Sequence, residues 1–120
     1  MSIGPPQEPE PLKRVMQRAG YEYLCRWLEA NPGSTMDTVC DALHTNRAQV
    51  SRLCRVFDTT FQALIDGIRE RAATTALLRG DPCKVIAHRL GYADASAFFR
   101  AFKRWTGRTT GEWLAAQNPR

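Results

Sequence analysis

The side chains that could do chemistry in this sequence are mainly lysine, arginine and glutamine, and they concentrate in two stretches. Residues 83–108 hold six lysines and arginines against one acidic residue, and residues 47–57 hold three arginines and no acidic residue. Cationic groups at this density attract phosphates, and Gln and Arg side chains can also pair bidentately with the edges of adenine and guanine. The two stretches therefore indicate recognition of a nucleic acid.

The cysteines and histidines give a weaker chemical signal. Cys25, Cys40, Cys54 and Cys83 are 15, 14 and 29 residues apart, whereas zinc ligands usually occur in close pairs. This spacing favours reduced cysteines that pack in a core, and a redox or alkylation sensor stays open as an addition to another function. The sequence contains no paired carboxylates, phosphate-binding loop or Cys/His arrangement at a spacing that would support catalysis. We therefore predict no enzyme activity, no metal and no cofactor.

Length and charge indicate a small domain with an anionic partner. The chain has 120 residues, 43% of them hydrophobic, which suits one domain with a core. A net charge of +5 and a pI near 9.4 favour an anionic partner, which could also be a membrane surface or an acidic protein. No apolar run approaches the roughly 20 residues of a membrane span, and the N-terminus lacks the order of a signal peptide, so we expect a cytoplasmic location.

Apolar periodicity predicts an all-α fold of about seven helices over residues 12–118. The prolines and glutamates of residues 1–11 have no apolar periodicity, which predicts a flexible tail, either a linker remnant of a longer protein or a native segment. The helices are expected at about 12–30, 36–43, 47–57, 60–79, 83–90, 95–106 and 110–117. The first is expected to bury one broad face made of Val15, Met16, Ala19, Tyr23, Leu24, Trp27 and Leu28.

Two pairs of these helices have the spacing of a helix-turn-helix unit. In the second pair, Asp81 and Pro82 predict the start of the first helix, and Gly91 predicts that this helix ends in a left-handed turn. Asp94 is the expected cap of the helix that follows. The buried positions expected there are Val85, Ile86, Leu90, Phe98, Ala101, Phe102 and Trp105. In the first pair, Thr35 and Asn46 are the expected caps, and His44 takes the position where a positive φ is required.

The outer face of the second helix in each pair is the candidate reading surface. In the first pair this face holds Ala48, Gln49, Ser51, Arg52 and Arg55. In the second pair it holds Ala95, Ser96, Phe99, Arg100, Lys103 and Arg104. The helix between the pairs, of about 20 residues, should be a rod of roughly 30 Å, close to the roughly 34 Å between successive major-groove faces on one side of B-DNA. A helical interaction module with solvated basic faces remains the alternative.

The sequence resembles the DNA-binding domain of AraC/XylS-type bacterial transcription regulators over residues 12–117. The resemblance is carried by ALLRGDPCKVIAHRLGYADASAFFRAFKRWTGRTTGEW, FQALIDGIRERAA and VCDALHTNRAQVSRLC. It implies seven helices with two helix-turn-helix units joined by a long helix, which bind adjacent major grooves of a promoter and recruit or obstruct RNA polymerase. It also implies a separate effector-sensing or dimerisation domain, and no segment of this sequence is expected to form one.

The resemblance further implies a role for each exposed residue. Base reading falls to Ala48, Gln49, Ser51 and Arg52 on one helix and to Ala95, Ser96, Phe99 and Arg100 on the other, while Lys103 and Arg104 would contact phosphates. Phe99, where the family commonly has a small polar residue, would contact a thymine methyl group if exposed, or pack against a neighbouring helix. The family also usually has Gly at His44 and Asp58, Pro at Thr110, and Tyr-Arg at Trp113 and Leu114.

Overall fold

The computed structural model describes residues 11–117, and this part of the chain consists of seven helices without strands. The helices are α1 (Leu12–Ala30), α2 (Met36–Ala42), α3 (Arg47–Val56), α4 (Phe61–Arg79), α5 (Cys83–Arg89), α6 (Ala95–Thr106) and α7 (Thr110–Gln117). The predicted all-α class is confirmed. Residues 1–10 of the predicted tail and residue 118 of the predicted domain lie outside the described residues.

Side-chain caps explain why α2, α3, α4 and α6 begin where they do. The backbone N–H groups of Thr38, Gln49, Ala63 and Ala97 each donate to a cap side chain three residues earlier, at 2.8 to 3.2 Å. The accepting residues are Thr35, Asn46, Thr60 and Asp94. Each such cap stabilises its helix by about 1 kcal/mol, since it satisfies an N–H group that the helix itself cannot pair.

Two separate hydrophobic cores are joined by α4. The N-terminal half of α4 packs with α1, α2 and α3 around Leu24, Leu28, Val39, Val50, Cys54, Ile65 and Ile68. The C-terminal half of α4 packs with α5, α6 and α7 around Ala73, Ala76, Leu77, Ile86, Ala87, Leu90, Phe98 and Phe102. We call these two groups of helices the first half and the second half. Within residues 11–117, no helix has the length and apolar character needed to cross a bilayer.

The apolar face of α1 is buried only at its C-terminal end, so the broad buried face predicted for this helix is wrong. Leu24 and Leu28 are buried and Trp27 is half-buried, whereas Met16 and Tyr23 are 65% and 57% exposed. Val15 and Ala19 are exposed as well. The N-terminal part of α1 presents apolar side chains at helical spacing to solvent, since no other described helix covers it.

The start of α5 also differs from the prediction. The Asp81 carboxylate makes no cap bond and instead accepts from Arg79, at 2.7 Å from Nη2, and from Arg89, at 3.3 Å from Nη1. The hydrogen bond from Arg79, helped by Arg89, lowers the pKa of Asp81. Val85, expected in the buried stripe, is 44% exposed, while Ile86 and Leu90 are buried. The stripe is narrower because α5 has only two turns and contacts its neighbours along one edge.

Five described residues around the helix-turn-helix units have left-handed backbone conformations, and three of them bear on the comparison of the units. Gly91, which ends the first helix of the second unit as predicted, has a φ of 86°. His44 and Asp58, where the family usually has glycine, have φ values of 52° and 56°. The first half therefore forms two left-handed turns with residues that carry a β-carbon, at a cost of about 1 kcal/mol or more at each site.

Candidate nucleic-acid interface

The first reading helix, α3, buries one side and exposes the predicted surface on the other. Val50 and Cys54 are buried in the core of the first half, and Leu53 is half-buried. The opposite side exposes Ala48, Gln49, Arg52 and Arg55, while Ser51 is half-buried. Four of the five predicted residues of this surface are therefore open to a large ligand, and Ser51 lies at its edge.

Polar contacts at the beginning of α3 orient two of its side chains. The hydroxyl of Thr45 donates to Oε1 of Gln49 at 2.5 Å, so the amide group of Gln49 is held near the turn. Asn46 and Gln49 have the spacing of a reciprocal cap, but the Gln49 side chain bonds to Thr45, and only the Asn46 side chain caps α3. Arg47 forms an exposed ion pair with Asp37 at 2.6 Å. Among residues 11–117, neither Arg52 nor Arg55 has an acidic partner within 4.0 Å.

The second reading helix, α6, has a sharper division between its two sides. Phe98, Ala101 and Phe102 are buried at 0 to 1% exposure, and their rings and methyl group fill the core of the second half. The opposite side exposes Ser96, Phe99, Arg100, Lys103 and Arg104, while Ala95 is half-buried. The buried ridge predicted for α6 is confirmed, with Trp105 partly covered.

Phe99 is an exposed aromatic residue in the middle of the basic surface of α6. Its side chain is 42% exposed, and its ring centre lies 5.9 Å from that of Phe98. Together with Arg100, Lys103, Thr109 and Thr110 it lines an open cleft of about 420 Å³. An exposed ring between cationic groups can contact a thymine methyl group or stack on a base, whereas the cations can hold the adjoining phosphate.

Helix α7 supports this surface from behind. Trp113 and Leu114 pack against the core of the second half, as predicted, and the Trp113 ring meets that of Phe102 edge-on at 6.1 Å. The N-terminus of α7 has a reciprocal cap that the sequence interpretation missed. Thr109 N donates to Oε1 of Glu112 at 2.8 Å, and Glu112 N donates to the Thr109 hydroxyl at 3.1 Å. Thr110, the position where the family usually has proline, is the first residue of α7.

The comparisons with known proteins agree with this architecture. A family model described as a helix-turn-helix domain matches residues 39–116. The chain is 34% identical over 94 residues to the ornithine utilization regulator of Pseudomonas aeruginosa, which covers 76% of this chain and 28% of the relative. It is 36% identical over 81 residues to the RCS-specific HTH-type transcriptional activator RclR of Escherichia coli, covering 66% of this chain and 28% of that protein.

A solved structure shows the same fold. The C-terminal domain of AraT, a response regulator from Geobacillus stearothermophilus, superposes with a TM-score of 0.68 at 24% identity and covers 84% of both chains. The chain belongs to the AraC/XylS-type family of helix-turn-helix transcription regulators. It spans about 28% of the length of the two curated relatives named above.

Proposed function

We propose that this chain binds double-stranded promoter DNA sequence-specifically, by inserting α3 and α6 into adjacent major grooves, as the DNA-binding part of a bacterial transcription regulator. The observation that carries the proposal is that both ends of one helix hold a capped helix-turn-helix unit whose second helix exposes basic residues and no acidic residue. The 19 residues of α4 make a rod of about 28 Å. That length suits reading helices about one turn of B-DNA apart.

Two kinds of contact follow from the chemistry of the exposed side chains. Arg52 and Arg100 can each pair with the two acceptors of a guanine edge, and Gln49 with an adenine edge. Ala48, Ser51, Ala95, Ser96 and Phe99 would contact bases at close range. Arg55, Lys103 and Arg104 would contact phosphates, and such contacts position the protein without reading sequence. RNA polymerase is the further partner that we propose, in a cytoplasmic setting at the nucleoid.

Selection of binding sites from random duplexes tests this proposal directly. We expect a recovered site of roughly 15 to 20 base pairs with two half-sites about one helical turn apart. Recovery of no preferred sequence, with all duplexes bound equally and at the strength of any cationic protein, would contradict the proposal.

Substitutions in the two reading helices then test the assignment of residues. We expect Arg52→Ala and Arg100→Ala each to cost about 1 to 3 kcal/mol on the selected site and to relax preference at one or two base pairs, in different half-sites. Arg26→Ala, which removes an exposed arginine of α1, is the matched control and should leave base preference unchanged. If both reading-helix variants select the same sequences as the parent, the assignment is wrong.

A further inference from the structure

The relative position of the two reading helices is not set by a shared core. The cores of the two halves consist of different residues, and α4 is the element that contributes to both. A single helix fixes a distance along its axis well, but it resists bending and twisting less than a packed interface does. Any second connection between the halves therefore has a strong effect on the angle between α3 and α6.

Such a connection exists where the loop between α1 and α2 meets the turn of the second helix-turn-helix unit. The backbones of Gly33 and Gly91 touch. A β-carbon added at Gly91 would lie 2.8 Å from the carbonyl oxygen of Gly33, and one added at Gly33 would lie 3.0 Å from that of Arg89. Gly91 belongs to the turn that leads into α6, so this contact joins the first half to the segment that orients the second reading helix.

Arg69, near the middle of α4, contacts both the α1–α2 loop and the α5–α6 turn. Its Nε donates to the carbonyl oxygen of Pro32 at 2.8 Å, and its Nη2 donates to that of Ser34 at 2.9 Å. Its guanidinium carbon lies 5.5 Å from the centre of the Tyr92 ring, the residue after Gly91. One half-buried side chain thus holds the α1–α2 loop through two hydrogen bonds and the α5–α6 turn through a cation–π contact.

The loop itself is rigid enough to transmit this restraint. Asn31 Nδ2 donates to the carbonyl oxygen of Trp27 at 2.9 Å, and the buried Ser34 hydroxyl donates to that of Asn31 at 2.7 Å. The loop is therefore bonded to the end of α1, whose residues belong to the core of the first half. A displacement at Gly33 would move the first half as a body relative to the turn at Gly91.

We propose that the junction of Pro32, Gly33, Ser34, Arg69, Gly91 and Tyr92 sets the angle between α3 and α6, and so determines which spacing of half-sites the domain accepts. In this role Arg69 is a positioning residue that contacts no DNA. The proposal rests on the proposed two-groove binding. One base pair changes the separation of half-sites by about 3.4 Å and their relative rotation by about 34°. With a rigid junction the domain should bind a duplex of altered spacing more weakly. With a loosened junction its affinity should depend less on the spacing.

The test uses the duplex recovered by selection, versions with one base pair inserted or deleted between its half-sites, and a duplex that retains only the half-site for α6. For the parent we expect at least about fivefold weaker binding to the inserted and deleted versions. For Arg69→Gln we expect weaker binding to the original duplex, a smaller difference among the three spacings, and unchanged binding to the single half-site. Arg71→Gln is the matched control, since it removes an exposed arginine of the same helix, and it should keep the parental spacing profile.

A second variant separates positioning from loss of the fold. Gly33→Ala needs no left-handed conformation but brings a β-carbon to 3.0 Å from the Arg89 carbonyl oxygen, so it should shift or flatten the spacing profile with the charge unchanged. Gly111→Ala is its control, because a β-carbon there meets nothing within 4 Å. Arg69→Lys, which can still donate to one carbonyl, should restore part of the profile.

The outcomes distinguish this inference from the proposed function. If the parent prefers one spacing and both Arg69→Gln and Gly33→Ala keep that preference in full, the junction does not set the angle, while two-groove binding stands. If the parent binds the single half-site as tightly as the full duplex, two-groove binding itself fails. Circular dichroism and urea unfolding of each variant identify any loss of folded protein before binding is compared.

Discussion

The first helix-turn-helix unit, α2 and α3, turns through His44, whereas the second, α5 and α6, turns through Gly91. Both residues have positive φ, at 52° and 86°, so two different residue types take left-handed conformations at the same position of the unit. Glycine adopts this conformation without strain, and a residue with a β-carbon does so at a cost. The turn of the first unit therefore carries backbone strain that the turn of the second unit avoids.

The two units differ more in charge than in shape. Residues 36–58 hold three arginines and three aspartates, and one arginine is already paired with Asp37. Residues 83–108 hold six lysines and arginines and one acidic residue. If both units enter major grooves, the second supplies most of the attraction to phosphates, and the first contributes mainly through the base contacts of Gln49 and Arg52. The two units would then attract the phosphates unequally, although both contribute side chains that can contact bases.

The largest effect is expected in the core of the second half. Phe98 and Phe99 are neighbours on α6 with 0% and 42% exposure. Phe98→Ala should lower the free energy of unfolding by about 3 to 5 kcal/mol, because it leaves a cavity in a closed core, and Phe99→Ala should lower it by about 1 kcal/mol or less. Urea unfolding followed by circular dichroism measures both values.

The helices in which Phe98→Ala loses stability sharpen the comparison between the two halves. Since the cores are separate, hydrogen exchange in Phe98→Ala should rise first in α5, α6 and α7, and Leu28→Ala should have the converse effect on α1 to α3. Equal unfolding losses for the two phenylalanine variants would contradict the division of α6 into buried and exposed sides.

The next effect concerns salt and tests the unequal charge of the units. Replacing both Lys103 and Arg104 with Gln should make the slope of log affinity against log salt shallower by roughly 2, since each lost phosphate contact removes about 0.9. Binding at low salt should weaken by roughly tenfold or more on selected and random duplexes alike.

The first unit supplies the control for this measurement. Arg47→Gln removes a charge that is paired with Asp37 at 2.6 Å. It should change the salt slope by less than half of the change expected for the double variant of Lys103 and Arg104. Equal changes per charge in the two units would show that the surface of α6 has no special part in attracting DNA.

A smaller effect is expected from relieving the strain in the first unit. His44→Gly should raise the free energy of unfolding by up to about 1 kcal/mol, because the release of left-handed strain exceeds the added entropy of glycine in the unfolded chain. His44→Ala keeps a β-carbon and should not stabilise the protein. A loss of stability in His44→Gly, measured by urea unfolding, would mean that the His44 side chain makes stabilising contacts that outweigh its strain.

Local chemistry made most of the fold predictable from sequence. Thr35, Asn46 and Asp94 cap the helices that follow them because a cap depends only on residues within one turn. The exposed sides of α3 and α6 were predictable for a related reason, since a helix with one apolar stripe exposes the opposite side. The cap of α7 has the same local origin, since Thr109 is followed three residues later by Glu112.

Contacts between distant residues, and the choice between two possible partners of one side chain, could not be predicted in this way. Periodicity gave α1 a long apolar face, but burial depends on whether another helix is long enough to cover it, and Met16 remains exposed. Asp81 was expected as a cap, yet Arg79 and Arg89 together attract its carboxylate more strongly than the N–H groups of α5. Arg69 gave no sequence signal, because the carbonyl groups that it binds lie 35 and 37 residues away.

The smallest effect is expected from lowering the pH, which should weaken the packing of α7 in the second half. The hydrogen bond from the backbone N–H of Thr109 lowers the pKa of Glu112 below its ordinary value of 4.5. Because this carboxylate is bonded in the folded state only, its stabilisation of α7 is complete above pH 4.5 and is lost as the pH falls through the lowered pKa. The corresponding position near the start of α3 is Gln49, which does not titrate.

Hydrogen-exchange protection of α7, compared between about pH 6 and about pH 3, measures this loss. Glu112→Gln should reduce protection of α7 at pH 6 to the value that the parent shows in acid, and should remove the difference between the two pH values. Glu22→Gln, which replaces an exposed acidic residue in the middle of α1, should leave α7 unchanged. If α7 keeps its full protection in acid, the bonds of the Glu112 carboxylate contribute little to its attachment, and the prediction is wrong.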